Sequence, residues 1–297
     1  MRRLLLIANP SASGFTGAAL REVTAALSAT FAVEQEWPDG PEASRHAASK
    51  AAVASYDVVA AMGGDGVVHH VANGLVGSDT ALAVIPAGTT NVLARLLAIP
   101  TKAKKAARAM ATWKARPLQA VRVVADDREP FYATFALGVG YDAAVISRAN
   151  QRPYGKVTWG PLHYARSALR ELGDHGTPTI RLAAHGLRSD GAAISIQVQD
   201  NYTFLGRLAF GFGGDSPNGF NALALKGVRA RTAATIARMA THRLKVSGGD
   251  ATVWTDVSAL TATAEPATPM QADGESYGRV ERVSVEVADK RLLILAP

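Results

Sequence analysis

Two glycine-bearing loops carry the side chains best suited to chemistry. Gly63-Gly64-Asp65-Gly66 ends the apolar run Asp57–Met62, and Pro86-Ala87-Gly88-Thr89-Thr90-Asn91 ends the run Ala81–Ile85. In each case a helical pattern of apolar spacing follows, so each reads as strand, tight loop and helix N-terminus. Such a corner suits phosphate. Glycine lets the backbone come close, and the unpaired N–H groups of the first helical turn face the anion. The helix dipole adds about 0.3–1 kcal/mol at an exposed site. For GGDG alone an ordinary tight βα turn is an equal account, because glycine pairs punctuate many α/β folds. The second string, Pro-Ala-Gly-Thr-Thr-Asn after a buried strand, is rarer and moves the reading toward phosphate. Two acids complete the set. Asp65 lies inside the first loop, and Glu275 follows an Asp-Gly turn in Met270-Gln-Ala-Asp-Gly-Glu275. Taken alone, that second string is a bare hairpin turn.

The elements that must position these residues alternate from Leu4 to Met110. A first strand, Leu4–Ala8, leads to the loop Asn9–Gly14, a helix over 17–30 and a strand over 31–37. Pro41 and Glu42 open a second helix. The strand before GGDG is followed by a helix that Asn73-Gly74 should close, and Thr90 or Asn91 should cap the helix after the second loop. Thr101–Thr112 is a helix bearing Lys102, Lys104, Lys105 and Arg108, which reads first as a solvated face. This order predicts a doubly wound parallel sheet with helices on both faces and ligands at the carboxyl ends of the strands. Lys114–Pro117 reads as the boundary.

Beyond it short strands dominate: 118–125, 131–137, 180–184, 192–199, 202–210, 220–225, 243–246, 251–255 and 259–264. Ser189-Asp190-Gly191 is read as a turn between two of them. Helical stretches at 159–172 and 228–241 interrupt them, the second with Arg229, Arg231 and Arg238. Val283, Val285 and Val287, then Leu292–Leu295, read as a closing hairpin around Asp289-Lys290. The fold class is therefore α/β followed by β: an N-terminal doubly wound α/β domain, which the resemblance given below makes the nucleotide-binding one, and a C-terminal antiparallel β-sandwich with inserted helices.

Composition narrows the class. The chain has 297 residues, 48% hydrophobic and 19% charged, which suits a packed globular core. No apolar run reaches the ~18 residues of a membrane span. Arg2-Arg3 before Leu4–Ala8 is not a secretory leader, since Asn9-Pro10 interrupts a short run. The absence of cysteine excludes disulfides and thiolate metal sites and fits a reducing cytoplasm. A net charge of +7 favours anionic partners without choosing among them. With 6% aromatics and no stacking platform, nucleic acid is not an expected partner. His69 and His70 are adjacent and diverge on a helix, which argues against a zinc site.

Taken together, GGDG at 63–66 and Pro86–Arg95 resemble the catalytic domain of the diacylglycerol kinase and sphingosine kinase family, with its GGDGTxxE and PxGTxNDxAR strings. The resemblance extends to Asn9-Pro10 in the first loop, Gly138-Val-Gly-Tyr-Asp-Ala143, Trp159–Leu172 and Gln271-Ala-Asp-Gly-Glu275. It implies an ATP- and Mg²⁺-dependent phosphotransferase with an alcohol acceptor, a diacylglycerol-like lipid. It places Asn9, Pro10, Gly63, Gly64, Asp65, Gly66, Val67, Val68, His69, Gly88, Thr89 and Asn91 around the nucleotide. Asp65 would hold Mg²⁺ through water or orient the acceptor, Glu275 would be the general base, and Asn218 stands where relatives hold a structural Mg²⁺ with Asp. It also implies domains of 1–117 plus a returning tail at about 288–297, and 118–287, with the active site in the cleft between them. Peripheral contact with anionic membrane and a homodimer are compatible with it. Departures are Val67 for Thr, His70 for Glu, Val92 for Asp, Gln119 for an acid and Trp37-Pro38 near an expected Thr. They leave two alternatives: a kinase of the wider NAD kinase superfamily acting on another small molecule, or a catalytically impaired nucleotide- or lipid-binding protein.

Overall fold

The computed structural model describes residues 1–141, 143–144, 178–184, 187–199, 203–204, 208–209, 216–227 and 251–297. The chain forms two compact units, Met1–Gln119 with Asp289–Pro297, and Ala120–Ala288. The helical readings at 159–172 and 228–241, and the strand reading at 243–246, lie outside the described residues.

The first unit is built on a six-stranded sheet. Its strands are β1 (Arg2–Ala8), β2 (Phe31–Glu36), β3 (Val58–Gly63), β4 (Ala81–Pro86), β5 (Lys114–Leu118) and, from the chain's end, β18 (Leu292–Ala296). Their order is β2-β1-β3-β4-β18-β5. All pairings are parallel except β5 with β18. β3 and β4 are buried at every position, as central strands covered on both faces must be. The helices are α1 (Gly17–Ser28), α2 (Pro41–Val53), α3 (Asp65–Leu75), α4 (Val92–Leu96) and α5 (Ala103–Ala109). Thr16 caps α1, its Oγ1 accepting from the Ala19 amide at 3.0 Å.

Lys114–Pro117 forms most of the edge strand β5, and this segment of the first unit ends two residues later at Gln119. Two expectations need correction here. The last two apolar runs do not pair with each other, because the second strand, β18, lies between β4 and β5. Gly74 does not end α3, which runs on to Leu75. A Cβ at Gly74 would lie 2.3 Å from the Arg45 carbonyl oxygen of α2, so this glycine serves helix-to-helix contact.

Among the described residues, the strand pairings of the second unit are all antiparallel. Its strands are β6 (Val121–Ala125), β7 (Phe131–Ala133), β8 (Ala136–Gly140), β9 (Thr179–Ala184), β10 (Leu187–Gly191), β11 (Ala193–Gln197), β12 (Thr203–Phe204), β13 (Leu208–Ala209), β14 (Phe220–Leu225), β15 (Ala251–Val257), β16 (Ala259–Ala272) and β17 (Glu275–Val287). The main ladder runs β15-β14-β11-β8-β16-β17-β6-β7. Besides β17, β16 serves two further neighbours: Thr261–Glu265 pairs with β9 and Met270–Ala272 with β8. Ser189–Gly191 is strand rather than turn, since Ser189 faces Leu182 and Gly191 faces Ile180 across the β9–β10 pair. Alternating inward residues such as Val121, Val123, Leu260, Ala262, Val283 and Val285 form the core.

Gly74→Ala tests the α2–α3 contact. Helix propensity alone would make it stabilising by about 1 kcal/mol. The backbone contact reverses the sign, and a loss of about 1–3 kcal/mol in denaturant unfolding is expected.

Candidate active site

In the first unit, three loops leave the carboxyl ends of the adjacent strands β1, β3 and β4. The β1 and β4 loops are tied by the Gly14 amide donating to the Ala87 carbonyl at 2.8 Å. The Ser13 and Thr89 hydroxyls lie 3.1 Å apart in a hydrogen bond. The Asn9 amide donates to Met62 O at 3.0 Å, and its side-chain oxygen accepts from Ser11 N at 2.9 Å, closing the turn that carries Pro10. The β3 and β4 loops touch backbone to backbone. A Cβ built on Gly88 would lie 2.5 Å from Gly64 Cα, so no other residue fits at position 88 without separating the loops.

Asp65 fixes this junction. It is the first residue of α3, and its Oδ1 accepts from the amides of Val92 at 2.7 Å and Leu93 at 3.4 Å. The N-terminal cap of α4 is thus supplied by an acid 27 residues upstream. Asn91 does not cap α4 with its side chain. It takes a left-handed φ of 49° and folds back, its Oδ1 accepting from Gly88 N and its Nδ2 donating to Gly88 O. Asn91 therefore shapes the second loop itself.

Of the residues expected around a nucleotide, Gly64, Asp65, Gly66, Val67 and Gly88 are part-exposed and Thr89 exposed. The amides of Asp65, Gly66 and Val67 open α3 and lie ahead of its first i→i−4 bond, which Val68 N makes to Gly64 O at 3.3 Å. The side chains of Val68 and His69 are buried in the packed face of α3, His69 only 1% exposed. Ser13 and Gly14 are loop residues whose part sequence reasoning missed. The small residues after Asn9-Pro10 were the available signal. His70, standing where the resemblance expects Glu, is pushed down to about 4 by burial, with His69 and Arg45 adding to the effect. It is neutral near pH 7 and supplies no carboxylate charge.

In the second unit the Gln271–Glu275 string forms a two-residue turn between β16 and β17, with Ala272 facing Glu275. Asp273 and Gly274 have φ of 51° and 84°, the paired left-handed geometry that tight hairpins need. Asp273 is fully buried. Its carboxylate accepts from the Thr134 amide at 2.7 Å and hydroxyl at 3.0 Å, and from the amides of Phe135 and Ala136 at 2.9 and 3.1 Å. The acid of the turn is therefore its anchor, and Glu275 opens β17 part-exposed. Asn218 is exposed in a turn where its amide donates to Asp256 Oδ1 at 2.9 Å. Among the described residues no group of three His, Cys, Asp or Glu side chains could hold a metal.

Comparison with known proteins follows this geometry. Residues 3–123 match the family model of the diacylglycerol kinase catalytic domain. A diacylglycerol kinase of Bacillus subtilis (strain 168) is 46% identical over 76 residues, 25% of each chain. One of Mycobacterium tuberculosis (strain ATCC 25618 / H37Rv) is 36% identical over 120 residues, 39% of this chain and 38% of its own. The matches thus span well under half the length of these relatives. The fold likeness is wider. A diacylglycerol kinase crystal structure from Bacillus anthracis str. Sterne superposes with a TM-score of 0.73 at 15% identity, over 100% of this chain and 97% of that one. An ATP complex of an NAD kinase from Archaeoglobus fulgidus gives 0.54 at 11%, over 98% and 93%. The two-unit α/β-plus-antiparallel fold is the one these structures share.

Two outcomes follow for the described residues. Asp65→Ala leaves the Val92 amide without its acceptor and should lower unfolding stability by about 1–3 kcal/mol, while Asp65→Asn keeps an acceptor and most of that stability; denaturant titration separates them. The second outcome concerns His70, whose folded pKa lies below its ordinary 6.5. Its contribution is complete above that value and lost as pH falls toward about 4. His70→Asn should flatten the acid limb of a Tm–pH profile.

Proposed function

Because the chain carries the diacylglycerol kinase catalytic domain over residues 3–123, we propose that it is a lipid kinase, transferring the γ-phosphoryl group of ATP to the hydroxyl of a diacylglycerol-like lipid. The observation that carries this reading is the Gly64–Gly88 backbone contact held by Asp65. It brings two glycine loops and a helix N-terminus to one point, the arrangement that receives phosphate.

Each residue then has a task. The amides of Asp65, Gly66 and Val67 hold phosphate oxygens, and Thr89 with Ser13 offers hydroxyls to the same group. Asp65 keeps α4 in place. Glu275 takes the proton of the acceptor hydroxyl as its oxygen bonds phosphorus and the bond to the ADP oxygen breaks. The oxygen donors Asp65 and Thr89 are hard ligands, which suits Mg²⁺ held chiefly by nucleotide phosphates and one or two carboxylates. When bound, that ion neutralises charge on the transferring group. No described helix is long and apolar enough to cross a membrane. In this reading the contact with the substrate's bilayer is peripheral. The structural likeness to an NAD kinase supports a second reading, another hydroxyl acceptor on the same site.

The test uses labelled ATP with short-chain diacylglycerol in detergent, and NAD in a parallel arm. Label should move to the lipid. Glu275→Gln should lower kcat about 10²–10⁴-fold yet keep the thermal shift by Mg-ATP, which is about 2.7 kcal/mol at 100 times Kd. Label on NAD and none on lipid selects the second reading. Absence of any wild-type thermal shift with ATP overturns the nucleotide site.

A further inference from the structure

The charges of the first unit are sorted along its sequence. Residues 1–79 carry five Lys or Arg and eight Asp or Glu, while residues 80–119 carry seven Lys or Arg and no acid. The sheet turns this into a spatial separation. Strand β2, at one edge, has exposed Glu34 and Glu36, and Asp39 and Glu42 follow it, also exposed. Strand β5, at the other edge, has exposed Lys114 and Arg116. Six strands spaced about 4.8 Å apart put the two edges roughly 24 Å from each other. That is about three Debye lengths at physiological salt, so each edge presents its own sign.

Lys114, Arg116 and Pro117 have a simpler role, since cations and proline protect a sheet edge from further pairing. That role does not account for α5. Lys102, Lys105 and Arg108 lie on or beside this helix and are exposed, and among the described residues only Lys104 of the group has an ion-pair partner, Glu22 at 3.0 Å. Nor does it account for the missing acids. Lys114 also pairs with Ala296 at the carboxyl end of β18, a strand that runs parallel to β4. The positive edge therefore reaches the end of the sheet from which the glycine loops leave.

We propose that the α5–β5 edge of the first unit is its docking face for an anionic phospholipid bilayer, with the acidic β2 edge turned from the lipid. The chemistry that selects a bilayer is the dense positive strip, whose own segment 80–119 carries no acid and where Glu22 of α1 matches Lys104, together with an edge strand blocked against strand addition. Trp113, next to Lys114, adds a residue type favoured at membrane interfaces. Orientation by charge would set the glycine loops at a fixed height above the surface. The proposal rests on the lipid kinase reading for its purpose but not for its test.

The experiment is co-sedimentation of the full chain with vesicles of phosphatidylcholine, with and without phosphatidylglycerol. Wild type should bind only the anionic vesicles, and more weakly as salt rises. Each of Lys105→Gln, Arg108→Gln, Lys114→Gln and Arg116→Gln should lower the partition coefficient about fivefold, and the four together by about two to three orders of magnitude. The control Lys50→Gln with Lys226→Gln, two exposed lysines outside residues 80–119, should bind as wild type. Unchanged Tm and unchanged activity on short-chain diacylglycerol in detergent show that the quadruple variant is folded. Wild-type binding retained by the quadruple variant overturns the proposal, as does wild-type binding to single-stranded RNA in place of vesicles. Docking without any phosphorylated lipid leaves this face standing and removes the kinase reading instead.

Discussion

The first unit depends on a near-contact between two backbones. Gly64 and Gly88 sit where parallel strands deliver them, and no side chain separates the loops. Backbones held that close expose polar groups that need partners. Asp65 supplies one by accepting from the amides that open α4, and Asn91 supplies others by closing on Gly88. Ser13 and Gly14 bring in the loop from the next strand but one. The loops are therefore held together by the protein's own hydrogen bonds, and in the proposed function these bonds aim the donors that phosphate meets. Preorganised donors of this kind are the largest single contribution to many enzymatic rates.

The second unit repeats the device with different elements. Asp273, like Asp65, belongs to an acid–glycine string and spends its carboxylate on amides far away in sequence. Its four donors come from the Thr134–Ala136 segment, joining the β16–β17 turn to the β7–β8 corner. Motif acids of this protein thus have architectural duties alongside any chemistry. Alanine at either position removes these acceptors, whereas the isosteric amide keeps the Oδ1 acceptor of Asp65 but not both acceptor oxygens of Asp273.

Some of this was legible in the sequence and some was not, for physical reasons. β3 and β4 were plain because strands buried on both faces must be apolar throughout. The Asp-Gly turn before Glu275 was plain because two consecutive left-handed residues restrict composition severely. The α4 cap was not, because local rules look for it at Thr90 or Asn91, and a residue 27 positions away carries it. Gly74 was misread because a glycine that ends a helix and one that lets another helix approach look alike in sequence. The pairing of β18 was misread because two apolar runs around Asp289-Lys290 satisfy the hairpin pattern, whereas the family resemblance, and not periodicity, implies a tail that returns to the first domain. His69 sits next to a part-exposed neighbour but faces the core, a matter of helical phase that no motif string encodes.

The position of β18 has a consequence for how this chain is made. The second unit's sequence is nested inside that of the first, and the strand filling the gap between β4 and β5 leaves the ribosome after all of it. During synthesis β4 and β5 have no neighbour on the sides that will face β18, while the nested unit has every segment it needs. Vectorial emergence therefore favours completion of the inner unit first, with the glycine-loop unit waiting on its final strand. Until then, two open edges are the surfaces most exposed to wrong pairing.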